Sequence, residues 1–328
     1  MRGILAGGTG QLRWQDVPDV VVGPAEVLID VHTAGVNRAD LLQAAGKYPP
    51  PPGASDVLGL EVSGTVAEVG VDVGGFVAGQ RVCALLAGGG YAERVAVPAG
   101  QVMPVPAGVT LADAAALPEA ACTVWSNLVR TARLARGEVV LVHGGASGIG
   151  THAVQVARAL GATVAVTAGS AQKLRQCAEL GAQILINHRA EDFVERIRES
   201  TDEAGCDVIL DIMGATYFER NLAALSADGR LVIIGMQGGV KTELNIATLI
   251  GKRLSVSGTA LRGRPSAGGH GKAAIVDDVV SEVWPMVADG RVRPVIGARF
   301  PIDRADDAHR LLQSGQVCGK VLLTVSAG

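Results

Sequence analysis

The sequence is poor in several features whose scarcity narrows its class. Only 3% of its 328 residues are aromatic, five are cysteine, and no apolar run approaches the ~20 residues that a membrane-spanning helix needs. The cysteines are scattered and odd in number, which argues against a disulfide framework and against closely spaced thiol ligands for a metal. The glycine-bearing segment at 7–10 would interrupt a secretory signal early in the chain. We therefore expect cytoplasmic residence and no membrane association.

The charge is also unremarkable, with a formal net value of −3 and no run of Lys or Arg longer than two. A nucleic-acid-binding protein normally carries a basic face, so nucleic acid is a poor candidate partner. What the chain does have is 48% hydrophobic residues and 44 glycines, enough to bury a large core in roughly two domains. Abundant Ala, Val, Leu and Gly with few aromatics is typical of α/β proteins with parallel strands buried on both faces.

The first third of the chain has the pattern of a β-rich, irregular domain. Short apolar segments at 27–31 and 62–66 are separated by glycine and proline. Tyr48 leads into four prolines and a glycine at 49–53, a sequence that excludes helix and central strand and predicts a stiff loop.

From about residue 121 the pattern changes to alternating strands and helices. Apolar positions at i, i+3, i+4 and i+7 predict a helix over 151–160, and another is expected over 173–180. Six strands alternate with the helical stretches, at 138–142, 163–166, 184–186, 208–210, 231–234 and 254–256. This alternation predicts a doubly wound parallel α/β sheet of the Rossmann type.

The C-terminal part returns to a mixed pattern, with a helix near 276–289 and a final strand at 320–324. We therefore expect a split domain formed by residues 1–121 and 261–328. The Rossmann domain, residues 122–260, is inserted into it.

A glycine-rich turn joins the first predicted Rossmann strand to its helix. The usual Gly-x-Gly-x-x-Gly positions fall on Gly145, Ser147 and Gly150, so serine replaces the middle glycine. Between a buried strand and an amphipathic helix, such a turn delivers backbone N–H groups and a helix N-terminus to the pyrophosphate of a dinucleotide. A serine-hydrolase elbow would require glycine where Ile149 stands, so that alternative fails on spacing.

The end of the second strand indicates which dinucleotide is bound. An NAD-selective site places an acidic residue there to hold the ribose 2′-hydroxyl, whereas this chain has Gly169, Ser170 and, one turn later, Lys173. The third strand ends in His188 and Arg189, which add positive charge. Single cations are often only solvated surface residues, but the missing acid together with the two basic ends predicts NADPH.

Several blocks together resemble the zinc-free quinone oxidoreductase branch of the medium-chain dehydrogenase/reductase superfamily, the zeta-crystallin-like proteins, and most nearly its damage-inducible animal group. The resemblance runs from end to end and is carried by segments 36–40, 48–53, 59–70, 144–150, 167–170, 210–214 and 235–239. It implies a β-rich GroES-like catalytic domain around the Rossmann domain and an NADPH:quinone oxidoreductase activity.

The resemblance also implies that no metal takes part. Zinc-dependent relatives carry a Gly-His-Glu segment whose histidine binds zinc, and here Leu60 stands in the histidine position; a cysteine ligand is replaced near Asn37. The four-cysteine structural zinc lobe is missing as well. A catalytic zinc needs about three protein ligands, which this sequence does not offer.

The resemblance assigns site residues position by position. Asn37 and Tyr48, with Thr123 beside them, are expected at the nicotinamide and substrate pocket, and Tyr48 would supply a hydroxyl to the substrate carbonyl. The expected cofactor-binding residues are Ala146, Ser147, Gly148 and Ile149 for the pyrophosphate, Gly169, Ser170, Lys173 and His188 for the 2′-phosphate, Gly235, Met236, Gln237, Gly238, Thr259, Ala260 and Leu261 along the cofactor, and Lys320 near the phosphates. Many quinone reductases have tyrosine where this chain has Leu42, which leaves substrate stacking there in doubt.

Two other functions are compatible with parts of the pattern. Reduction of α,β-unsaturated ketones or enoyl thioesters is the same delivery of hydride to a conjugated electrophile; Arg262, Arg264 and Lys272, which flank a glycine-rich segment expected to be a mobile lid, would give a long acyl thioester a basic entrance. A non-catalytic NADPH- or RNA-binding protein is the third reading, and the acidic balance opposes it. Finally, the segment 254–258 is the edge strand expected to form a homodimer.

Overall fold

A computed structural model describes residues 1–5 and 11–325; the glycine-bearing segment at 7–10 lies outside the described residues. In chain order its strands are β1 (Arg2–Ile4), β2 (Trp14–Asp16), β3 (Glu26–Val36), β4 (Glu61–Val69), β5 (Arg81–Leu85), β6 (Arg94–Pro98), β7 (Val102–Pro104), β8 (Val139–His143), β9 (Thr163–Ala168), β10 (Ile184–Asn187), β11 (Cys206–Asp211), β12 (Leu225–Ile233), β13 (Ser255–Gly258), β14 (Ile296–Pro301) and β15 (Lys320–Thr324).

The helices of the same residues are mostly short. They are α1 (Arg38–Ala44), α2 (Leu111–Ala114), α3 (Pro118–Val124), α4 (Gly148–Ala159), α5 (Ala171–Leu180), α6 (Phe193–Ser200), α7 (Phe218–Ala224), α8 (Ile246–Lys252), α9 (Lys272–Asp278), α10 (Trp284–Ala288) and α11 (Ala305–Ser314). Within the described part of the chain, no helix is long and apolar enough to cross a membrane.

The chain forms two compact units. Unit 1 contains Met1–Cys122, Leu261–Gly290 and Pro294–Gly328, and unit 2 contains Thr123–Ala260 and Arg291–Arg293. Unit 2 is thus formed almost entirely by one continuous stretch, whereas the first and last parts of the chain come together in unit 1.

Unit 2 is built on a six-stranded sheet in the order β10-β9-β8-β11-β12-β13, in which every neighbouring pair is parallel. Taken in order of sequence this is 3-2-1-4-5-6, the doubly wound Rossmann arrangement. The alternation predicted six parallel strands, and that prediction is confirmed. Central strands such as β8 carry continuous apolar runs because helices cover both faces; Val140, Leu141 and Val142 are essentially inaccessible to solvent.

Unit 1 is built on a seven-stranded, mostly antiparallel sheet. Its order is β14-β15-β3-β4-β5-β7, with β6 also paired to β3, and only β14 and β15 run parallel. The long strand β3 occupies the centre and pairs with β15 from the other end of the chain. The sheet therefore brings Asn37, just after β3, close to Lys320 at the start of β15.

Several predicted helix boundaries were wrong, two of them because a serine caps the helix earlier in the chain. Helix α4 begins at Gly148 rather than at residue 151, because the Ser147 side chain caps it by accepting a hydrogen bond from the Gly150 N–H at 3.0 Å. Helix α5 likewise begins two residues early, capped by Ser170. The helical run predicted near 276–289 begins at Lys272, and a π-helical turn at Val279–Val283 joins its two α-helical parts.

Candidate functional site

The turn between β8 and α4 leads the chain from the middle of the unit 2 sheet directly into a helix N-terminus. Glycine is required at position 150, because a Cβ there would collide with the carbonyl oxygen of Gly144 and lie 2.7 Å from the Cα of Gly145. The first turn of a helix leaves its N–H groups without intrahelical acceptors, and its dipole favours an anion. Ser147 already satisfies the N–H of Gly150, so those of Gly148 and Ile149 are the donors suited to a pyrophosphate.

Beside this turn, the carboxyl ends of β9 and β10 form what we call the basic recess, made of Gly169, Ser170, Lys173, His188 and Arg189. A Cβ on Gly169 would lie 3.2 Å from the His188 Nε2 and 3.3 Å from the Arg189 Nε, so both side chains reach this glycine. Burial lowers the pKa of His188, and the charges of Arg189 and Lys173 lower it further. The charges that act on His188 are therefore positive, as a phosphate-binding recess requires.

The ends of β11 and β12 form the next part of this edge. The carboxylate of Asp211 accepts hydrogen bonds from the N–H groups of Met213 and Gly214 at 2.7 and 3.0 Å, and burial raises its pKa. The run of Gly235, Met236, Gln237 and Gly238 packs against that turn, with the Gly238 N–H bonded to the Met213 carbonyl at 2.7 Å. The predicted segment therefore lies at the carboxyl edge of the unit 2 sheet, with Met236 largely exposed.

A third group in unit 2 joins two of the predicted residues through one that the sequence did not reveal. The Nδ2 of Asn127 donates to the Thr123 carbonyl at 2.7 Å, and its Oδ1 accepts from the Thr259 hydroxyl at 2.5 Å. Asn127 is buried in a π-helical turn that continues α3, and no motif marks it. Of the residues predicted beside Thr259, Ala260 is exposed in unit 2, whereas Leu261 is buried in unit 1.

The predicted substrate residues of unit 1 begin with Asn37, which caps α1. Its amide is already used inside the protein: the Nδ2 donates to Glu61 at 2.9 Å, and the Oδ1 accepts from the Lys320 ammonium at 2.6 Å. Its backbone N–H donates to Asp40 at 2.7 Å. The geometry makes Asn37 the link between two buried carboxylates and a buried ammonium.

Lys320, predicted near the cofactor phosphates, is enclosed by other groups of the protein. Only 4% of the residue is accessible, and its ammonium donates to the Val36 carbonyl, to Asn37 and to the Glu61 carboxylate. An ammonium has three donors, and all three are used, so none remains for a phosphate. The pairing of β15 with β3 places it there, which the sequence pattern did not disclose.

Asp40, also missed from the sequence, heads a second buried chain of hydrogen bonds. Its carboxylate accepts from the Gly59 N–H and the Tyr91 hydroxyl, each at 3.2 Å, and that hydroxyl lies 3.2 Å from the His309 Nε2. Burial raises the pKa of Asp40 to about 6 and lowers that of His309 to about 4. Both groups are therefore less ionised at neutral pH than their exposed counterparts.

Glu119, in the first turn of α3, is the remaining acid of this region. Its N–H donates to the Glu61 carboxylate at 2.9 Å, but its own Oε2 is buried without a hydrogen-bond partner. Burial and the charge of Glu61 raise the pKa of Glu119 to about 8. We call Asp40, Glu61 and Glu119, with Asn37 and Lys320, the acid cluster. Glycine at position 35 is required beside it, because a Cβ there would collide with the Glu61 carboxylate.

Tyr48 lies in the predicted loop, with its ring against a buried guanidinium. The Arg262 Cζ is 5.3 Å from the ring centroid, and Arg262 also donates to the Ala87 carbonyl at 2.8 Å and to Gln43 at 2.6 Å. Burial raises the pKa of Tyr48; Arg262 opposes this shift, and Glu119 adds to it. The phenol is thus protonated at neutral pH and able to donate a hydrogen bond.

Arg262 and Lys272, two of the three residues expected at a basic entrance for acyl thioesters, are both buried. Each is only 3% accessible. Arg262 donates to the Ala87 carbonyl and to Gln43, and the Lys272 ammonium donates to the Arg264 carbonyl at 2.7 Å. Arg262 fastens one end of the glycine-rich segment to residues elsewhere in unit 1, and Lys272 joins the other end to Arg264 within the segment. The segment's mobility stays a prediction.

His143, at the end of β8 beside the glycine-rich turn, has a structural environment. The two ring nitrogens of His143 lie 2.8 Å from the Asn221 Oδ1 and 3.1 Å from the Thr167 hydroxyl, and its ring meets Phe193 and Tyr217 edge-on. Burial lowers the pKa of His143 to about 4. It is therefore a neutral packing residue.

No three His, Cys, Asp or Glu side chains among the described residues are grouped so as to hold a metal ion. Leu60, at the position of a zinc-binding histidine in zinc-dependent proteins of this type, is fully buried. The residues present do not fit a catalytic zinc.

The two units match two protein families. Residues 23–107 match the alcohol dehydrogenase GroES-like domain, and residues 148–269 match a family described as zinc-binding dehydrogenase. The second description mentions zinc, whereas this chain offers no grouping of ligands for it in the described residues.

Similar proteins cover nearly the whole chain. Rat quinone oxidoreductase is 32% identical over 97% of this chain and 94% of its own length. Among solved structures, an NAD-dependent alcohol dehydrogenase and the Escherichia coli quinone oxidoreductase complexed with NADPH are each 30% identical with a TM-score of 0.87, and they cover 99% of this chain and 100% and 99% of their own. The CurK enoyl reductase is 26% identical with a TM-score of 0.86, covering 99% of both chains.

Proposed function

The chain belongs to the quinone oxidoreductase-like branch of the medium-chain dehydrogenase/reductase superfamily, and we propose from this premise that it is an NADPH-dependent reductase of quinones. An oxidoreductase of this family is supported by relatives over nearly the full length, among them quinone oxidoreductases. The choice of cofactor and the choice of substrate rest on separate parts of the molecule.

The observation that carries the proposal is the basic recess. A site selective for NADH would hold the ribose 2′-hydroxyl with a carboxylate, whereas here the His188 and Arg189 side chains reach Gly169, and the charge of Lys173 acts on His188. Ser170 caps α5 and keeps its hydroxyl at the same place. We assign the 2′-phosphate to this recess, the pyrophosphate to the N–H groups of Gly148 and Ile149, and the rest of the cofactor to the edge formed by residues 235–238 and Thr259.

Bound NADPH supplies a hydride, so the protein has to orient the acceptor, exclude water and stabilise the oxyanion that develops. Tyr48 is our candidate donor to the acceptor carbonyl, because its phenol keeps its proton and its ring is held against Arg262. Asn37 has a positioning role in this proposal, since its amide is bonded to Glu61 and Lys320. No step requires a metal, in keeping with the residues present.

The test is the rate of NADPH consumption with a panel of benzoquinones and naphthoquinones, repeated with NADH. We expect turnover with NADPH and weaker binding of NADH by at least about tenfold, the effect of ~1.4 kcal/mol of lost charge interaction. Equal or tighter binding of NADH would contradict the assignment of the recess. Tyr48→Phe should lower the rate with a quinone that the wild-type protein reduces slowly. An unchanged rate would contradict the role of Tyr48 as a hydrogen-bond donor to the acceptor.

A second candidate is reduction of α,β-unsaturated ketones or enoyl thioesters. The likeness to the CurK enoyl reductase favours it, and the acceptor chemistry is the same addition of hydride to a conjugated system. Rates on a panel of conjugated ketones and enoyl thioesters, measured beside the quinone panel, decide between the two. Because Arg262 and Lys272 are buried, we expect short acceptors to be reduced better than long acyl thioesters.

We further propose that the protein is a homodimer through unit 2. Strand β13 is the last strand of its sheet, and most of the large hydrophobic side chains that are exposed lie close to it in sequence, namely Met236, Val240, Leu244, Ile246, Ile250 and Val256. A concentration of exposed apolar side chains beside a free strand edge is typical of an interface. Sedimentation of Ile250→Lys should show monomers, whereas Val71→Lys, at an even more exposed position in unit 1, should leave the wild-type oligomeric state unchanged.

A further inference from the structure

The acid cluster contains more carboxyl groups than the charges around it can hold ionised: Asp40 and Glu61 are fully buried, and Glu119 is half-buried with its Oε2 shielded from solvent. Three acids meet one ammonium, that of Lys320, which lies directly on Glu61. A buried carboxylate is costly unless it is paired or hydrogen-bonded, so a site with too few partners keeps one carboxyl protonated. The distribution of donors decides which one.

Two of the three acids are well supplied with donors. Asp40 accepts from the N–H groups of Asn37 and Gly59 and from the Tyr91 hydroxyl. Glu61 accepts from Lys320, from the Asn37 amide and from the N–H of Glu119. In each, the donors stabilise the ionised form.

Glu119 has no such support. Its Oε2 is buried and has no hydrogen-bond partner. The charged group to which its backbone N–H is bonded is the carboxylate of Glu61, which is negative. Two cations act on it from a distance, Lys320 from β15 and Lys272 from α9, and both favour ionisation. Burial and Glu61 outweigh them, and the pKa of Glu119 rises to about 8.

Glu119 is also coupled to the residues at which we place the acceptor. Its N–H donates to the Glu61 carboxylate, which in turn accepts from the amide of Asn37, a residue predicted at the nicotinamide and substrate pocket. Its charge also raises the pKa of the Tyr48 phenol. The carboxyl therefore belongs to the same electrostatic neighbourhood as the candidate donor to the substrate carbonyl.

We propose that Glu119 is the proton store of the site: it holds a proton in the resting protein and gives it to the oxyanion of the newly reduced acceptor. This rests on the proposed function. Addition of hydride leaves an electron pair and a negative charge on the acceptor oxygen; the O–H bond of Glu119 breaks, an O–H bond forms on that oxygen, and Glu119 is left as a carboxylate. A proton from water then restores it. Lys320 and Lys272 stabilise the carboxylate in the interval.

The first arm of the test needs neither cofactor nor substrate. The infrared difference spectrum of the wild-type protein minus the Glu119→Gln variant is recorded in H2O and in D2O. At pH 7 it should contain the C=O band of a protonated carboxyl. This band should disappear as the pH rises past about 8. No such band at pH 7 would overturn the proposal.

The second arm measures the rate against pH with the best acceptor. The wild-type kcat should fall above about pH 8, where Glu119 ionises. Glu119→Gln should be slower by roughly 10²-fold at pH 7 and should lack that fall, because removing a general acid costs ~10² to 10⁴. Glu119→Asp, which keeps a proton, should recover part of the rate. Glu282→Gln removes an exposed carboxylate of unit 1 and should behave as wild type.

The outcomes separate the two proposals. If none of the tested acceptors supports oxidation of NADPH by the wild-type protein, the proposed function and the delivery step both fail. The infrared band still decides whether Glu119 stores a proton. If wild type is active and Glu119→Gln, folded by circular dichroism and binding NADPH normally, keeps the wild-type rate and pH profile, proton delivery by Glu119 is excluded.

Discussion

The proposed phosphate-binding edge of unit 2 and the acid cluster of unit 1 hold charged groups in opposite ways. The edge presents backbone N–H groups and cations that are partly open to water, ready for an anion from outside. The cluster encloses its charges: Glu61, Asp40 and Lys320 are almost inaccessible and bonded to each other or to their neighbours. The first depends on local turn geometry, and the second depends on strands from distant parts of the sequence.

This difference predicts different responses to substitution. Losing a cation from the open edge should weaken ligand binding and leave folding nearly unchanged, since solvent replaces it. Losing the enclosed cation should damage folding, because an uncompensated buried carboxylate is costly.

The largest effect is therefore expected from Lys320→Met. Glu61 would lose its ion pair while it remains completely buried, and breaking a buried pair in this way costs about 3–5 kcal/mol. Urea unfolding followed by circular dichroism measures the loss. Lys173→Met in the basic recess is the matched control and should change the free energy of unfolding by less than about 0.5 kcal/mol. Similar losses of unfolding free energy in both variants would contradict the difference proposed between the enclosed and the open cations.

Gly150→Ala tests the geometry of the turn. The added Cβ would collide with the backbone of Gly144 and Gly145, and such overpacking costs about 1–3 kcal/mol. We expect lower thermal stability and a marked loss of NADPH affinity, measured by the fluorescence of the bound cofactor. Gly251, in α8, has open space around it, so Gly251→Ala should leave stability unchanged or raise it slightly. An equal loss of stability in this control would mean that the collision at position 150 is not the cause.

The enclosed acids should also make stability depend on pH. The pKa of Glu119 rises from an ordinary 4.5 to about 8 in the folded protein, so its contribution is complete below pH 4.5 and is lost as the pH rises through 8. One proton corresponds to at most about 1.4 kcal/mol per pH unit, or about 2 kcal/mol between pH 6.5 and 8. Chemical denaturation across this range should show that decline in wild type and a flat profile in Glu119→Gln.

The smallest change in folding, with a clear change in binding, is expected at the basic recess. Lys173→Met should weaken NADPH by about tenfold, or ~1.4 kcal/mol, and leave NADH almost unaffected, since only NADPH carries the 2′-phosphate. Equilibrium fluorescence titrations with both cofactors measure this. An equal loss for both would place Lys173 away from the 2′-phosphate.

The fold followed from the sequence more completely than the site did. Six strands of unit 2 were predicted because buried parallel strands carry continuous apolar runs, and the errors lay at helix starts, where Ser147 and Ser170 act as caps. Lys320 was predicted near the cofactor phosphates, whereas its ammonium is bonded to Val36, Asn37 and Glu61. Asp40, Glu61, Tyr91 and Glu119 were not proposed at all as site residues, because single acids and a single tyrosine have no distinguishing pattern in the chain.

Local information alone determined the glycine-rich turn, where we propose that the pyrophosphate binds, and the basic recess. Each consists of a strand end and the few residues that follow it. Because β8, β9 and β10 are neighbours in the sheet, those strand ends then lie side by side. The acid cluster was decided only by tertiary structure. Its members come from β4, α1, α3 and the first residue of β15, and they meet because β15 pairs with β3. Which carboxyl keeps the proton depends on burial and on the count of donors within reach, and neither quantity exists until the chain has folded.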